Sequence, residues 1–95
     1  MALDTMAKIP AEISWLEDDK ELLRTFIIIA KQGPVGAREI RRQLGSSDWW
    51  PVKCYLISLV ERGLIAESDT GYTLTPTGER VYEARKAVHY LKGVR

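Results

Sequence analysis

One cysteine, Cys54, and one histidine, His89, are all that the chain offers of the side chains that most often bind transition metals or cross-link small folds. A lone cysteine excludes an intramolecular disulfide framework and a multi-cysteine zinc site, and it fits a reducing compartment. Neither metal-ligand spacing nor a glycine-rich phosphate cradle occurs. No stretch brings a nucleophile, a base and stabilising donors together, so neither an enzyme nor a bound cofactor is expected. The longest apolar run, Phe26 to Ala30, is far below a membrane span, and no signal-peptide pattern precedes it. The expectation is a cytoplasmic protein with no membrane partner. Net charge is nearly absent as well. At +1 the total gives no bulk attraction to nucleic acid, so any such argument must come from distribution.

What is present is enough for one modest core: 45% apolar and 28% charged residues in a chain of 95. Residues 1–17 read as an N-terminal segment and residues 18–95 as one domain. The N-terminal end is acidic, with Asp4, Glu12, Glu17, Asp18, Asp19 and Glu21 against Lys8, Lys20 and Arg24. Residues 31–45 are basic through Lys31, Arg38, Arg41 and Arg42, and residues 80–95 through Arg80, Arg85, Lys86, Lys92 and Arg95.

Spacing predicts the elements. Ile9, Ile13 and Leu16 fall at i, i+4 and i+7 about Pro10, so residues 10–17 read as a short amphipathic helix with Pro10 in its first turn. Asp18 or Asp19 caps the first main helix, whose core stripe is Leu23, Phe26, Ile27 and Ala30 and whose stop is Gly33-Pro34. Leu22, Phe26 and Ile29 form a second stripe, and its cover is either the N-terminal segment or another subunit. After Gly36, Ala37, Ile40 and Leu44 face inward, Arg38, Arg41 and Arg42 face outward, and Gly45 closes the helix. Ser46-Ser47-Asp48 supplies capping oxygens for the next helix, in which Asp48 is the N-cap and Pro51 is tolerated in the first turn. Val52, Tyr55, Leu56, Leu59 and Val60 form its core side, flanked by Trp49. Gly63 suits a left-handed position after that helix. Residues 64–66 and 72–74 then make two strands around Asp69-Thr70-Gly71. Pro76 stops the second strand, and Thr77 caps a last helix with Val81, Ala84, Val88 and Leu91 on one face.

Three segments resemble the winged helix-turn-helix regulators, particularly MarR-like, PadR-like and small archaeal members. They are Arg38-Glu39-Ile40 with Leu44-Gly45, then Leu59-Val60-Glu61-Arg62-Gly63-Leu64-Ile65, then Tyr72-Thr73-Leu74-Thr75-Pro76-Thr77-Gly78. The match covers about residues 20–90. The resemblance implies an α+β fold, mostly α: a three-helix core, a two-stranded β wing and a C-terminal helix. It also implies that the helix over residues 48–62 lies in the major groove of double-stranded DNA, and that the protein is a transcriptional regulator.

The residues supply a DNA reading and a competing one. For DNA, Arg38, Arg41 and Arg42 sit where a helix crosses the phosphate backbone, and Trp50, Lys53, Ile57 and Ser58 face the groove. Yet Trp50, Cys54 and Ile57 make an outward apolar strip where a base reader normally carries Arg, Asn, Gln or Ser. No Lys or Arg lies between Ala66 and Gly78, whereas Glu67 and Asp69 do. The alternative is therefore a protein-interaction module with Trp49, Trp50 and Ile57 as its hot spot. In a third arrangement Trp50 packs under the acidic N-terminal segment and hides the face. Cys54 reads as an ordinary, partly buried thiol rather than a redox sensor, because Lys53 favours a thiolate only weakly. His89 reads as a surface residue. Val88, Tyr90 and Leu91 suggest a homodimer through the first and last helices, which would set two reading helices about 34 Å apart on a pseudo-palindromic site.

Overall fold

A computed structural model describes the backbone of residues 2–93 and the side chains of residues 9–88. The expectations placed on His89, Tyr90, Leu91, Lys92 and Arg95 lie outside the described side chains. Among the described residues the order is α1 (Ala2–Glu17), α2 (Lys20–Gln32), α3 (Ala37–Leu44), α4 (Trp49–Glu61), β1 (Ile65–Ser68), β2 (Gly71–Leu74) and α5 (Pro76–Gly93). This is a small, mostly helical α+β fold with one two-stranded antiparallel sheet. No helix among these residues is long and apolar enough to cross a membrane.

The N-terminal helix is longer than the spacing predicts. It runs unbroken from Ala2, with Pro10 inside it rather than in its first turn. It packs against α2 and α5 and sends Leu16, fully buried, into the common core. The N-terminal segment therefore supplies the cover for the second stripe of α2. That cover also rotates the helix: Leu22, Phe26 and Ile29 are the buried line, while Leu23, Ile27 and Ala30, the expected core stripe, are only half-buried. Asp19 is the cap of α2, and its carboxylate accepts from the N–H groups of Glu21 at 3.1 Å and Leu22 at 3.3 Å. Phe26 meets Tyr82 of α5 edge-on, with ring centroids 6.3 Å apart.

α3 lies across α2. Arg24 donates to the Gln43 carbonyl at 3.2 Å, and the Gln32 and Gln43 side-chain amides exchange hydrogen bonds at 2.7 and 2.8 Å. Ile40 and Leu44 of α3 then meet Val52, Leu56 and Leu59 of α4 in the core.

The hairpin is in the register Ile65↔Leu74 through Ser68↔Gly71, with Asp69 and Thr70 as its turn. Val35, in the connection between α2 and α3, pairs with Tyr72 through two backbone hydrogen bonds, Val35 N–H to Tyr72 C=O at 3.0 Å and the reverse at 2.8 Å. The start of α5 is clasped onto the chain leaving α4. Thr75, not Thr77, is its N-cap: its hydroxyl accepts from the Gly78 N–H at 3.0 Å and donates to the Gly63 carbonyl. Pro76 becomes the first helical residue, where its missing N–H costs nothing. A side chain at Gly78 would collide with the Leu64 carbonyl, so glycine is what lets the two segments touch.

Candidate functional site

α4 is set by a tight turn. Gly45 takes φ 71°, a left-handed value, and from there its N–H and that of Ser46 close the end of α3 on the carbonyls of Arg42 and Arg41. Ser46, rather than Asp48, then organises the start of α4: its hydroxyl accepts from the Asp48 N–H at 3.2 Å and donates to the Asp48 carbonyl at 2.9 Å. Asp48 occupies the N-cap position, but its carboxylate makes no capping bond and is exposed. The expected capping role is thus not realised. What Asp48 contributes is a negative charge at the helix start, where the aligned peptide dipoles favour it.

Val52, Leu56 and Leu59 are buried and fix the rotation of α4. The opposite side faces solvent. Trp50 is 72% exposed, Ile57 53% and Val60 43%, and Trp49 stands at the rim. Val60 was expected on the core side and Tyr55 is only half-buried, because the buried arc of α4 is narrower than the run of apolar residues. Among the described residues the one other large apolar side chain left exposed is Val88 of α5. Apolar exposure concentrated on a single helix face differs from the scattered exposure of an ordinary surface. Lys53 and Glu61 are exposed on this face, while Cys54 and Ser58 are half-buried. The acidic α1 lies elsewhere, so it leaves Trp50 uncovered.

The three arginines of α3 have separated in role. Arg38 is exposed and in no ion pair among the described residues. The Arg41 guanidinium stacks 4.4 Å from the centroid of the Trp49 ring, which joins the two helices at the edge of the face. Arg42 is bound to Glu39 through both carboxylate oxygens, and Gln43 adds a third donor at 2.8 Å. Those bonds, Arg42 first and Gln43 second, hold the Glu39 carboxyl down at about 2 against an ordinary 4.5. Arg42 is therefore largely neutralised by its own helix.

Toward the hairpin the face turns apolar and acidic. A hollow of about 330 Å³ lies among Ala37, Trp49, Lys53, Leu56, Ile57 and Tyr72. A second of about 230 Å³ adjoins it, sharing Leu56, Ile57 and Tyr72 and adding Val60, Glu61 and Glu67. Burial, and after it the neighbouring Glu67 carboxylate, raises the Tyr72 phenol above its ordinary value. Glu67 and Asp69 are exposed.

Of the C-terminal basic cluster, Arg85 and Lys86 have partners among the described residues, and Arg80 is exposed. Arg85 pairs with Glu17 of α1 at 3.3 Å, and Lys86 pairs with Glu83 at 3.7 Å while lying 5.1 Å from the Tyr82 ring centroid. α5 packs against α1, α2 and β2.

One constellation had no sequence signal. The Glu12 carboxylate of α1, 1% exposed, is ion-paired to Arg62 at the end of α4, and the Arg62 guanidinium lies 4.0 Å from the Trp15 ring centroid. A separation of 50 residues between the partners puts the pair beyond any local pattern. It pins α1 to the C-terminal end of α4. No protein-family model and no curated protein matches the chain.

Proposed function

We propose that the protein is a winged helix-turn-helix DNA-binding domain, with α3 and α4 as the helix-turn-helix, the hairpin as the wing and α4 as the groove-reading helix. Its simplest biological use is transcriptional regulation as a homodimer. The observation that carries this reading is the uncovered outer face of α4, with Trp50 exposed and with Lys53 and Arg38 exposed beside it and in no ion pair among the described residues. Arg38 and Arg41 would meet phosphates, with Trp50, Lys53, Ile57 and Ser58 toward the base edges. Arg42 contributes less, because Glu39 already neutralises it. An acidic wing offers phosphate nothing, so the footprint is narrow.

About three neutralised phosphates per copy, about six for the homodimer, give a log–log salt slope of about −5.4, a fall of roughly 1,800-fold in affinity between about 50 and 200 mM salt. Fluorescence anisotropy of the whole protein with a labelled mixed-sequence duplex measures it directly. Arg38→Ala and Arg41→Ala should each reduce the slope by about one per copy, and Arg42→Ala by less. A protein that leaves the duplex unbound at about 50 mM salt is not a DNA-binding domain of this kind.

A further inference from the structure

We propose that the two adjoining hollows between α4 and the hairpin dock a short amphipathic segment of a partner protein, one that carries two apolar anchors followed by Lys or Arg. This goes beyond DNA binding and uses the hairpin side of the α4 face, sharing Lys53 and Ile57 with the groove-reading surface. Leu56, Ile57 and Tyr72 line both hollows, and of the three Ile57 is the exposed one, so it stands where they meet. Two anchors on successive turns of a helix would each enter one hollow with Ile57 between them, as in helix-in-groove recognition.

Charge selects the occupant. Glu61 and Glu67 both border the second hollow, and neither is in an ion pair among the described residues. Asp69 extends the same sign toward the hairpin turn, and no Lys or Arg occurs from Gly63 to Glu79 to offset it. Phosphate is repelled there, whereas a cation placed next to an apolar anchor meets two carboxylates at the rim. Lys53 borders the first hollow, so the site is polarised and fixes the direction in which a charged segment lies. Four apolar residues of α4 stand ready to be covered: Trp49, Trp50, Ile57 and Val60. Aromatic and aliphatic anchors in such hollows are where binding energy concentrates.

The experiment selects binders to the whole protein from a randomised peptide library of about twelve residues, long enough for a three-turn helix. Binding of the recovered peptides is then mapped by amide and side-chain NMR shifts. The expected peptides hold two apolar residues and an adjacent Lys or Arg, and they shift Ile57, Val60, Glu61, Glu67 and Tyr72. Ile57→Asp, at an exposed position that leaves the core intact, should weaken them about tenfold or more. Glu61→Lys combined with Glu67→Lys should weaken cationic peptides about tenfold and improve their Lys→Glu versions. Enrichment of acidic or uncharged peptides, binding that ignores Ile57→Asp, or no Ile57-dependent enrichment at all overturns the proposal. So does a result in which duplex DNA, and no peptide, shifts Val60, Glu61 and Tyr72, since the hollows would then belong to the nucleic-acid interface.

Discussion

Replacing Arg62 by methionine should be among the most damaging single changes in the chain, although the arginine itself is 40% exposed. Its partner is the reason. Glu12 is 1% exposed, and Arg62 is the one cation paired with it among the described residues. Breaking a buried pair on one side typically costs about 3–5 kcal/mol, because a carboxylate stays in the interior without its counter-charge. Water reaches the outer side of Arg62, which lowers the figure to about 2–3 kcal/mol. Loss of the Trp15 stacking is a smaller part of that total, of order 0.5–1 kcal/mol. At about 4–8 °C per kcal/mol for a domain of this size, Arg62→Met should lower Tm by roughly 10–20 °C. Pairing it with Glu12→Leu removes both charges and fills the site with hydrocarbon, so the double variant should recover most of the loss. Urea unfolding of the four proteins gives the coupling directly, with about 2 kcal/mol expected. Additive effects, or an Arg62→Met variant within about 0.5 kcal/mol of the parent, would mean that Glu12 is not held by Arg62 and that the pair does not fasten α1 to α4.

Thr75→Val keeps the shape of the α5 cap but removes its bonds to the Gly78 N–H and the Gly63 carbonyl, and urea melts should show a loss of about 1–2 kcal/mol. Gly78→Ala gains helix propensity yet drives a methyl group into the Leu64 carbonyl; a net loss of about 2 kcal/mol in the same assay is expected, and a stabilised variant would contradict the close approach. The Glu39 carboxyl titrates at about 2, below its ordinary 4.5, so its pairing supports the fold above that ordinary range and fades as pH falls toward about 2. A carbon-13 carboxyl titration should find that low midpoint in the parent and a clearly higher one in Arg42→Gln.

The elements that the sequence made legible are those fixed by neighbours along the chain. α3 ends at Gly45 and α4 tolerates Pro51 in its first turn because local backbone rules decide both. The outward apolar strip of α4 was visible for the same reason: Trp50 and Ile57 are simply out of phase with Val52, Leu56 and Leu59. What could not be read depends on distant partners. The buried line of α2 shifted to Leu22, Phe26 and Ile29 because α1 lies over it, and Pro10 misled by looking like a helix start. Thr77 had the right residue type for a cap, but the clasp between Gly63 and the start of α5 selected Thr75. Glu12 looked like one acid among many in an acidic segment, and only the fold shows it facing Arg62. On the candidate site, Arg38, Arg41 and Arg42 looked equivalent; Trp49 and Glu39 made them different.

The pairing of Val35 with Tyr72 bears on how the protein avoids sticking to itself. A two-stranded sheet has two open sides, each a row of unused peptide groups onto which a foreign strand can add. On the β2 side, the Tyr72 peptide is already occupied by Val35 through both of its hydrogen bonds. On the β1 side, the strand is four residues long and carries Glu67 in its middle, and shortness and charge both discourage runaway strand addition. Strand addition is thereby disfavoured at both edges of the sheet, by occupation at Tyr72 on one and by a short, charged strand on the other.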